Sequence, residues 1–108
     1  MSEEIKIAAL DGHQFDVWST EAKGKVKGGV VILHAITGRI PHLADVCDQW
    51  AASGYQAIAP SLFDRISPNI INSYSPEGVA SGISHYTSLT EKQILMDVEA
   101  SADTLRSK

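Results

Sequence analysis

The chain has 108 residues, 44% of them hydrophobic and 20% charged, a composition that is typical of one small globular domain. Its formal net charge of −4, with only nine lysines and arginines, provides no basic surface for phosphates, so we expect no nucleic-acid partner. The acidic N-terminus, the single cysteine and the lack of a long apolar run predict a cytoplasmic protein without an internal disulfide or a membrane partner.

The first predicted element is a β-hairpin. Apolar and polar residues alternate from Glu4 to Leu10 and again from Gln14 to Trp18, which is the period of a half-buried strand. Asp11-Gly12 lies between the two segments, and this pair favours tight hairpin turns because glycine adopts positive φ easily. The sequence therefore predicts two antiparallel strands near its start.

The next elements form a predicted right-handed βαβ unit. The continuous apolar run Val30 to Leu33 indicates a central parallel strand, and Tyr55 to Pro60 indicates a second buried one. Between them, Pro41 is suited to the first position of a helix, and Gly54 is suited to its end. The apolar residues of this helix follow at helical spacing: Leu43, Val46, Cys47, Trp50 and Ala51.

The remaining sequence predicts a long connection and a second helix. Ser61 to Leu89 contains several prolines and glycines in a polar setting, which indicates an irregular loop of the kind that often covers a site. Two overlapping capping boxes, starting at Ser88 and Thr90, precede an apolar helical face. That face comprises Ile94, Leu95, Val98, Ala102 and Leu105. No strand follows this helix within the chain, so we expect an incomplete sheet.

Several kinds of site are absent from the sequence. It has no glycine-rich phosphate loop and no histidine or cysteine pair at metal-ligand spacing, so we expect no cofactor and no metal. A nucleophile elbow, G-x-S-x-G, is also absent. In the nearest match, Gly78 to Gly82, the serine is one position too late, and we interpret this segment as flexible loop. Cys47 lies on the apolar face of a helix, which indicates a buried residue.

The loop from His34 to Gly38 is the remaining candidate site. It joins the end of a predicted parallel strand to the start of a helix, where free backbone N–H groups and the helix dipole favour negative charge. A developing oxyanion fits such a position. Backbone donors require no particular side chain, however, so this pattern alone does not identify a reaction.

Three segments together resemble the dienelactone hydrolase family. They are Asp11-Gly-His-Gln-Phe15, Val30-Val-Ile-Leu-His-Ala-Ile-Thr-Gly38 and Gly54-Tyr-Gln-Ala-Ile-Ala-Pro-Ser-Leu-Phe-Asp-Arg65. The resemblance implies an α/β-hydrolase that opens ester or lactone bonds with a cysteine or serine nucleophile, an aspartate and a histidine, without a metal. It implies that residues 1–108 form the N-terminal half of a single α/β-hydrolase domain, with a hairpin, a parallel βαβ unit and a further helix.

The same resemblance assigns roles within the loop. Ile36 matches the residue whose backbone N–H contributes to the oxyanion hole, and the neighbouring wall that contacts the substrate comprises His34, Ala35, Thr37, Gly38 and Arg39. The nucleophile, the acid and the catalytic histidine are expected beyond the helix that ends near Arg106.

The chain departs from this family at two positions that bear on the substrate. Members that cleave dienelactone carry a glutamate where this chain has Ala35, and they hold the substrate carboxylate with an arginine before the second helix. No arginine lies between Arg65 and Arg106 here. We therefore do not expect dienelactone itself to be the substrate.

Some side chains permit a structural or a functional interpretation. His34 fits a buried structural histidine, or a residue that orients the loop or contacts the substrate. Arg39 fits a solvated surface residue or a contact for an anionic substrate. Asp64 and Arg65 are expected to form a local ion pair. His85 and Tyr86 are candidates to line a pocket, although no spacing requires it.

Two functions remain open at this point. One is a piece of a hydrolase that acts on a small ester or lactone and is completed by a missing C-terminal half. The other is a non-catalytic module that associates, for instance as a homo-oligomer, through its unfinished sheet edge.

Overall fold

One mixed sheet organises the part of the chain that the computed structural model describes, residues 2–68 and 70–107. The strand order across this sheet is β1-β2-β4-β3. The elements are β1 Glu3–Ala8, β2 Gln14–Thr20, β3 Gly28–Val31, α1 His42–Ala52, β4 Tyr55–Pro60, a short 3-10 helix Leu62–Arg65, α2 Pro76–Ser88 and α3 Glu91–Arg106.

The predicted hairpin is confirmed. β1 and β2 pair antiparallel, from Glu3 opposite Ser19 to Ala8 opposite Gln14. Gly12 in the connecting turn has a φ of 87°, a conformation that residues with a β-carbon rarely adopt. The turn therefore uses the glycine as the sequence predicts.

The βαβ unit is also confirmed, with one correction. β3 and β4 pair parallel, with Val31 opposite Ile58, and α1 connects them. Among the described residues β3 pairs with β4 alone, so it is an edge strand there, whereas β4 lies between β2 and β3. The prediction of a central strand at Val30 to Leu33 is wrong for this part of the chain.

Helices pack on both faces of the sheet. On one face, α3 contributes Met96, Ala100 and Leu105 to a core around Phe15, Val17 and Ile58. On the other face, Cys47 of α1 packs against Ala57 and Ala59 of β4. Both faces of β4 are therefore covered, which explains why this strand lacks polar alternation.

The prediction of an irregular loop over residues 61–89 is wrong, because this region contains the 3-10 helix and the 13-residue helix α2. The side chain of Ser75 caps α2 by accepting a hydrogen bond from the Gly78 N–H at 3.1 Å, and Pro76 starts the helix. Gly82 is buried where α2 crosses the loop at Ile36. Its lack of a side chain permits close approach, so the interpretation of Gly78 to Gly82 as flexible loop is wrong as well.

Helix α3 begins at the capping box that starts at Thr90. Thr90 Oγ1 accepts from the Gln93 N–H at 3.1 Å, and the Gln93 side chain accepts from the Thr90 N–H at 2.9 Å. Ser88 ends α2 instead of capping α3. The predicted face of α3 needs correction, because Leu95 is 54% exposed while Asp97 and Ser101 are buried. Among the described helices, none has the length and apolar character needed to cross a membrane.

Candidate active-site loop

The candidate loop leaves the sheet at the end of β3. The Ile32 N–H still donates to the Ile58 carbonyl at 2.8 Å, and a tight turn follows in which the Gly38 N–H donates to the Ala35 carbonyl at 3.0 Å. Gly38 has a φ of 82°, and a β-carbon there would overlap the Ile70 carbonyl oxygen. A glycine is therefore needed at this position both for its conformation and for space.

The Ala35 carbonyl belongs to the same peptide group as the Ile36 N–H and fixes the direction of that N–H. The Ala35 oxygen accepts from the Gly38 N–H and lies 2.9 Å from His34 Nδ1. Because a trans peptide is planar, the N–H of Ile36 points opposite to that oxygen. No acceptor for this N–H is found in residues 2–68 or 70–107. The loop thus presents a donor in a defined direction.

Asn72 holds the loop through two of its backbone carbonyls. Its backbone N–H donates to the Thr37 carbonyl at 2.9 Å, and its side-chain Nδ2 donates to the Ile36 carbonyl at 2.8 Å. The same Nδ2 lies 3.1 Å from Nδ1 of His85 in α2. Asn72 was not predicted from the sequence, since an isolated asparagine in a polar segment carries no signal for a contact 36 residues away.

His34 is buried beneath the loop and is hydrogen-bonded on its ring. Its Nε2 accepts from the Leu62 N–H at 2.9 Å, which places the proton on Nδ1, next to the Ala35 carbonyl. The Tyr86 hydroxyl donates to the His34 carbonyl. Burial is the main cause that lowers the pKa of His34, and the positive charge of Arg39 acts in the same direction. The neutral imidazole therefore links the loop to the backbone of Leu62.

The interpretation of Arg39 as a solvated surface residue is wrong. Its side chain is 5% exposed, donates from Nη2 to Glu4 Oε2 at 2.6 Å and lies with its guanidinium carbon 4.2 Å from the centre of the Trp18 ring. The Trp18 ring covers the guanidinium of Arg39. The residues next to Arg39 in the sequence do not reveal this burial. Arg39 lines a cavity of about 270 Å³ with Ser61 and Ile71.

The predicted site residues differ in their access to solvent. Ala35 is exposed and Ile36 is half-buried, whereas His34, Thr37, Gly38 and Arg39 are buried. Ala35 is therefore the most exposed of the predicted site residues.

His85 and Tyr86 pack over the loop. The two rings contact Phe63, with ring centres 5.1 and 4.7 Å away, and Phe63 in turn contacts His34 edge-on at 4.8 Å. Burial raises the pKa of Tyr86, as its hydroxyl is enclosed near the loop. Helix α2 thereby covers the inner side of the loop, a contact that sequence spacing did not reveal.

The predicted local pair of Asp64 and Arg65 is wrong. Arg65 donates to both carboxylate oxygens of Asp97 in α3, at 3.1 and 2.8 Å, and to both of Asp11 in the hairpin turn, at 2.8 and 3.2 Å. Asp64 instead accepts from the Asp16 N–H at 2.9 Å. The Arg65 hydrogen bond lowers the pKa of Asp11 to about 2, whereas burial raises that of Asp97. Arg65 therefore joins the hairpin to α3.

Within the described residues, no group of three or more potential metal ligands is found. Cys47 is fully buried, and burial raises the pKa of its thiol to about 11. A thiol with such a pKa is a poor nucleophile at neutral pH, so Cys47 is a packing residue, as its helical spacing indicated.

Comparison with other proteins relates this chain to a known family. The sequence model of the dienelactone hydrolase family matches residues 15–108 of this chain. A candidate carboxymethylenebutenolidase of Synechocystis sp. is 35% identical over 71 residues, and one of Azospirillum brasilense is 34% identical over 68 residues. These stretches cover 66% and 62% of this chain but only 29% of each relative.

Solved structures share the fold over nearly the whole chain. A candidate dienelactone hydrolase from Klebsiella pneumoniae has a TM-score of 0.76 at 24% identity and covers 99% of this chain. A dienelactone hydrolase-like promiscuous phosphotriesterase from metagenomic libraries has a TM-score of 0.67 at 16% identity. This chain spans 44% of each of these structures. The predicted N-terminal part of an α/β-hydrolase fold, with an incomplete sheet, is therefore confirmed.

Proposed function

The chain belongs to the dienelactone hydrolase family, and from this membership we propose that it supplies the oxyanion-hole loop of an enzyme that cleaves ester or lactone bonds. The observation that carries the proposal is the N–H of Ile36, which has a fixed direction and no acceptor within the described part of the chain.

The chemistry requires a donor of this kind. Attack on an ester carbonyl converts its oxygen into an oxyanion, and a backbone N–H that already points at that position stabilises the charge without reorganising. Loss of one such donor typically lowers kcat about 100- to 1000-fold. Two carbonyl anchors, at Ala35 and Ile36, support this role because they limit rotation of the peptides on both sides of the Ile36 α-carbon.

The other loop residues have separate proposed tasks. Ala35 borders the substrate and leaves room where a larger side chain would project. His34, Thr37 and Gly38 form the substrate wall from beneath, through bonds to Leu62, Asn72 and Ala35. Arg39 borders the substrate region on the side of Trp18.

The nucleophile, the acid and the catalytic histidine belong, in this proposal, to polypeptide outside the 108 residues. The residue after that nucleophile would contribute the second oxyanion donor, as in other α/β-hydrolases. The substrate is a small ester or lactone, and the protein works in the cytoplasm without a cofactor. Dienelactone is not proposed, given Ala35 and the lack of arginine between Arg65 and Arg106.

A second candidate function is association without catalysis. It is favoured by β3, which pairs on one side only among the described residues, and by the groove of about 430 Å³ that Val31 and Leu105 line beside it. An exposed strand edge can pair with another chain. In this second function the occupant would be a second copy of this chain, whereas the rest of a hydrolase domain at the same edge would belong to the first function.

The coding sequence after Lys108, together with an esterase assay, separates the two functions. The hydrolase proposal expects an open frame that encodes a strand and then Gly-x-Ser/Cys-x-Gly. The complete polypeptide should hydrolyse p-nitrophenyl acetate with saturation, and the 108-residue chain alone should not exceed background. Saturable turnover by the chain alone would overturn the claim that the nucleophile lies elsewhere. A stop after Lys108 with a stable oligomer and no esterase activity would support association instead.

A further inference from the structure

The Asn72 amide joins the candidate loop to a histidine of α2. Its Nδ2 donates to the Ile36 carbonyl at 2.8 Å and lies 3.1 Å from Nδ1 of His85. A carbonyl oxygen only accepts, so the side chain of Asn72 presents its NH2 group at this position. The second hydrogen of that group is then directed to Nδ1 of His85, which must accept it. The arrangement therefore requires a neutral His85 that carries its proton on Nε2.

Protonation of His85 conflicts with this arrangement. A positively charged imidazole donates from both nitrogens, so its Nδ1–H would face the NH2 group of Asn72, a donor against a donor. Rotation of the amide would bring Oδ1 to His85 and restore a bond there. The same rotation would place Oδ1 beside the Ile36 carbonyl, which then loses its donor. Either arrangement weakens the anchor on Ile36.

Titratable groups also lie on the elements around His85, whose ring packs against the 3-10 helix at Phe63 with centres 5.1 Å apart. They are Asp64 and Arg65 in that helix, His34 in the loop, Tyr74 in the segment before α2, and Tyr86 and, about two turns earlier, Glu77 in α2. The two in the 3-10 helix are hydrogen-bonded to groups on other elements. Burial lowers the pKa of His34 and raises that of Tyr86, so both are uncharged at neutral pH. Within the described part of the chain, the hydrogen bond found for the His85 ring is the one with the Asn72 amide.

We propose that His85 is a positioning residue that makes the candidate loop sensitive to pH. Neutral His85 holds the Asn72 amide toward Ile36, and protonated His85 releases that amide. The inference rests on the proposed function, because the anchored loop carries the Ile36 N–H. Histidine is the side chain whose charge ordinarily changes between about pH 5 and pH 8. His85 also lies in the last turn of α2, where the helix dipole favours a positive charge.

The coupling can be measured by NMR in the complete polypeptide that the coding sequence specifies. The probes are the side-chain NH2 signals of Asn72, the backbone N–H signal of Ile36 and the ring C–H signals of His85, followed from about pH 8 to about pH 5. The proposal expects the Asn72 and Ile36 signals to shift with the midpoint of His85. Signals that stay constant, or that follow the midpoint of another histidine, would overturn it.

Two variants make the assignment specific. His85→Gln keeps an acceptor for the Asn72 amide but does not titrate, so the acid shift of the Asn72 signals should vanish. His42→Gln, at an exposed histidine, is the matched control and should keep that shift. A shift that persists in His85→Gln would contradict the proposal. Should His85→Gln fail to fold, the titration of the parent still decides.

The effect on the site can be measured by hydrolysis of p-nitrophenyl acetate. The ratio of the parental kcat to that of His85→Gln isolates the loop, because loss of the catalytic base in acid affects both proteins alike. We expect this ratio to fall about tenfold from about pH 7.5 to about pH 5.5 with KM little changed, since a misplacement of about 1 Å can lower a rate about 100-fold.

The outcomes separate this role from the proposed function. Saturable activity with a ratio that is constant with pH would reject the role of His85 and leave the hydrolase proposal standing. A complete polypeptide without esterase activity would reject the hydrolase proposal, and the role of His85 in catalysis with it. The NMR titration would then still decide whether His85 controls the Asn72 anchor.

Discussion

Gly82 of α2 lies directly against Ile36 of the candidate loop. A β-carbon on Gly82 would come within 2.6 Å of the Ile36 β-carbon and closer still to its carbonyl oxygen. The helix and the loop therefore touch through backbone, and the position of Ile36 depends on the smallest possible residue in α2.

Gly82→Ala should destabilise the protein even though alanine favours helices over glycine by about 1 kcal/mol. Since the added methyl group must displace the loop or the helix, we expect a loss of about 1 to 3 kcal/mol in the free energy of unfolding, measured with urea. Ser81→Ala, at the exposed neighbouring position, should change it by less than about 0.5 kcal/mol. A Gly82→Ala variant as stable as the parent would contradict the contact.

Asn72 is predicted to hold the loop through its amide donor. Asn72→Ala should lower the free energy of unfolding by about 1 to 3 kcal/mol, because the Ile36 carbonyl loses its partner. Asn72→Asp should cost more at pH 7, since a carboxylate cannot donate and places negative charge beside that oxygen.

The pH dependence of the Asp variant provides the control. Protonation restores a donor, so the stability gap between Asn72→Asp and the parent should narrow from pH 7 to pH 4 in urea unfolding. A gap that is constant with pH, or an Asp variant more stable than the Ala variant at pH 7, would contradict the role of the amide.

His34 should make stability fall in mild acid. Its pKa in the folded protein lies below the ordinary 6.5, so the unfolded chain binds the proton first as pH decreases. Its stabilising contribution is complete well above pH 6.5 and is progressively lost as pH falls through that value. His34→Gln, which can accept from Leu62 but does not titrate, should lack this component when unfolding at pH 7.5 and 5.5 is compared. An equal pH effect in both proteins would refute the assignment.

The pair of Arg65 and Asp97 should contribute far more to stability than the exposed pair of Arg106 and Asp103. Asp97 is 1% exposed. Asp97→Asn removes one of the two carboxylates that neutralise the buried guanidinium of Arg65, so it should lower the free energy of unfolding by about 3 kcal/mol. Asp103→Asn, in a pair whose side chains are over 70% exposed, should cost less than about 0.5 kcal/mol. Similar losses for the two variants in urea unfolding would contradict this difference.

Local patterns predicted most of the fold, and tertiary contacts explain the failures. The hairpin, the βαβ unit and the Thr90 cap were predictable because alternation, helical spacing and capping residues act over a few positions. Helix α2 was missed because Gly78 and Gly82 resemble loop residues, although Ser75-Pro76 was an available signal for a helix start.

The site was predicted only in part for the same reason. The location of the loop follows from chain order, yet its anchors come from distant residues. Asn72 lies 36 positions from Ile36, and Tyr86 lies 52 positions from His34. Likewise, the burial of Arg39 depends on Trp18 in the hairpin, which no local pattern around residue 39 reveals.

The proposed function depends on the backbone N–H of Ile36, and replacing this group is the sharpest test of that function. In the complete esterase-active polypeptide, Ile36 would be exchanged for its α-hydroxy acid, which substitutes an ester oxygen for the N–H and keeps the side chain. Ile36→Val, which keeps the N–H, and the same backbone exchange at exposed Lys25 are the controls. We expect the exchange at Ile36 to lower kcat about 100- to 1000-fold with KM little changed, and both controls to keep near-parental rates. A kcat within about threefold of the parent would contradict it.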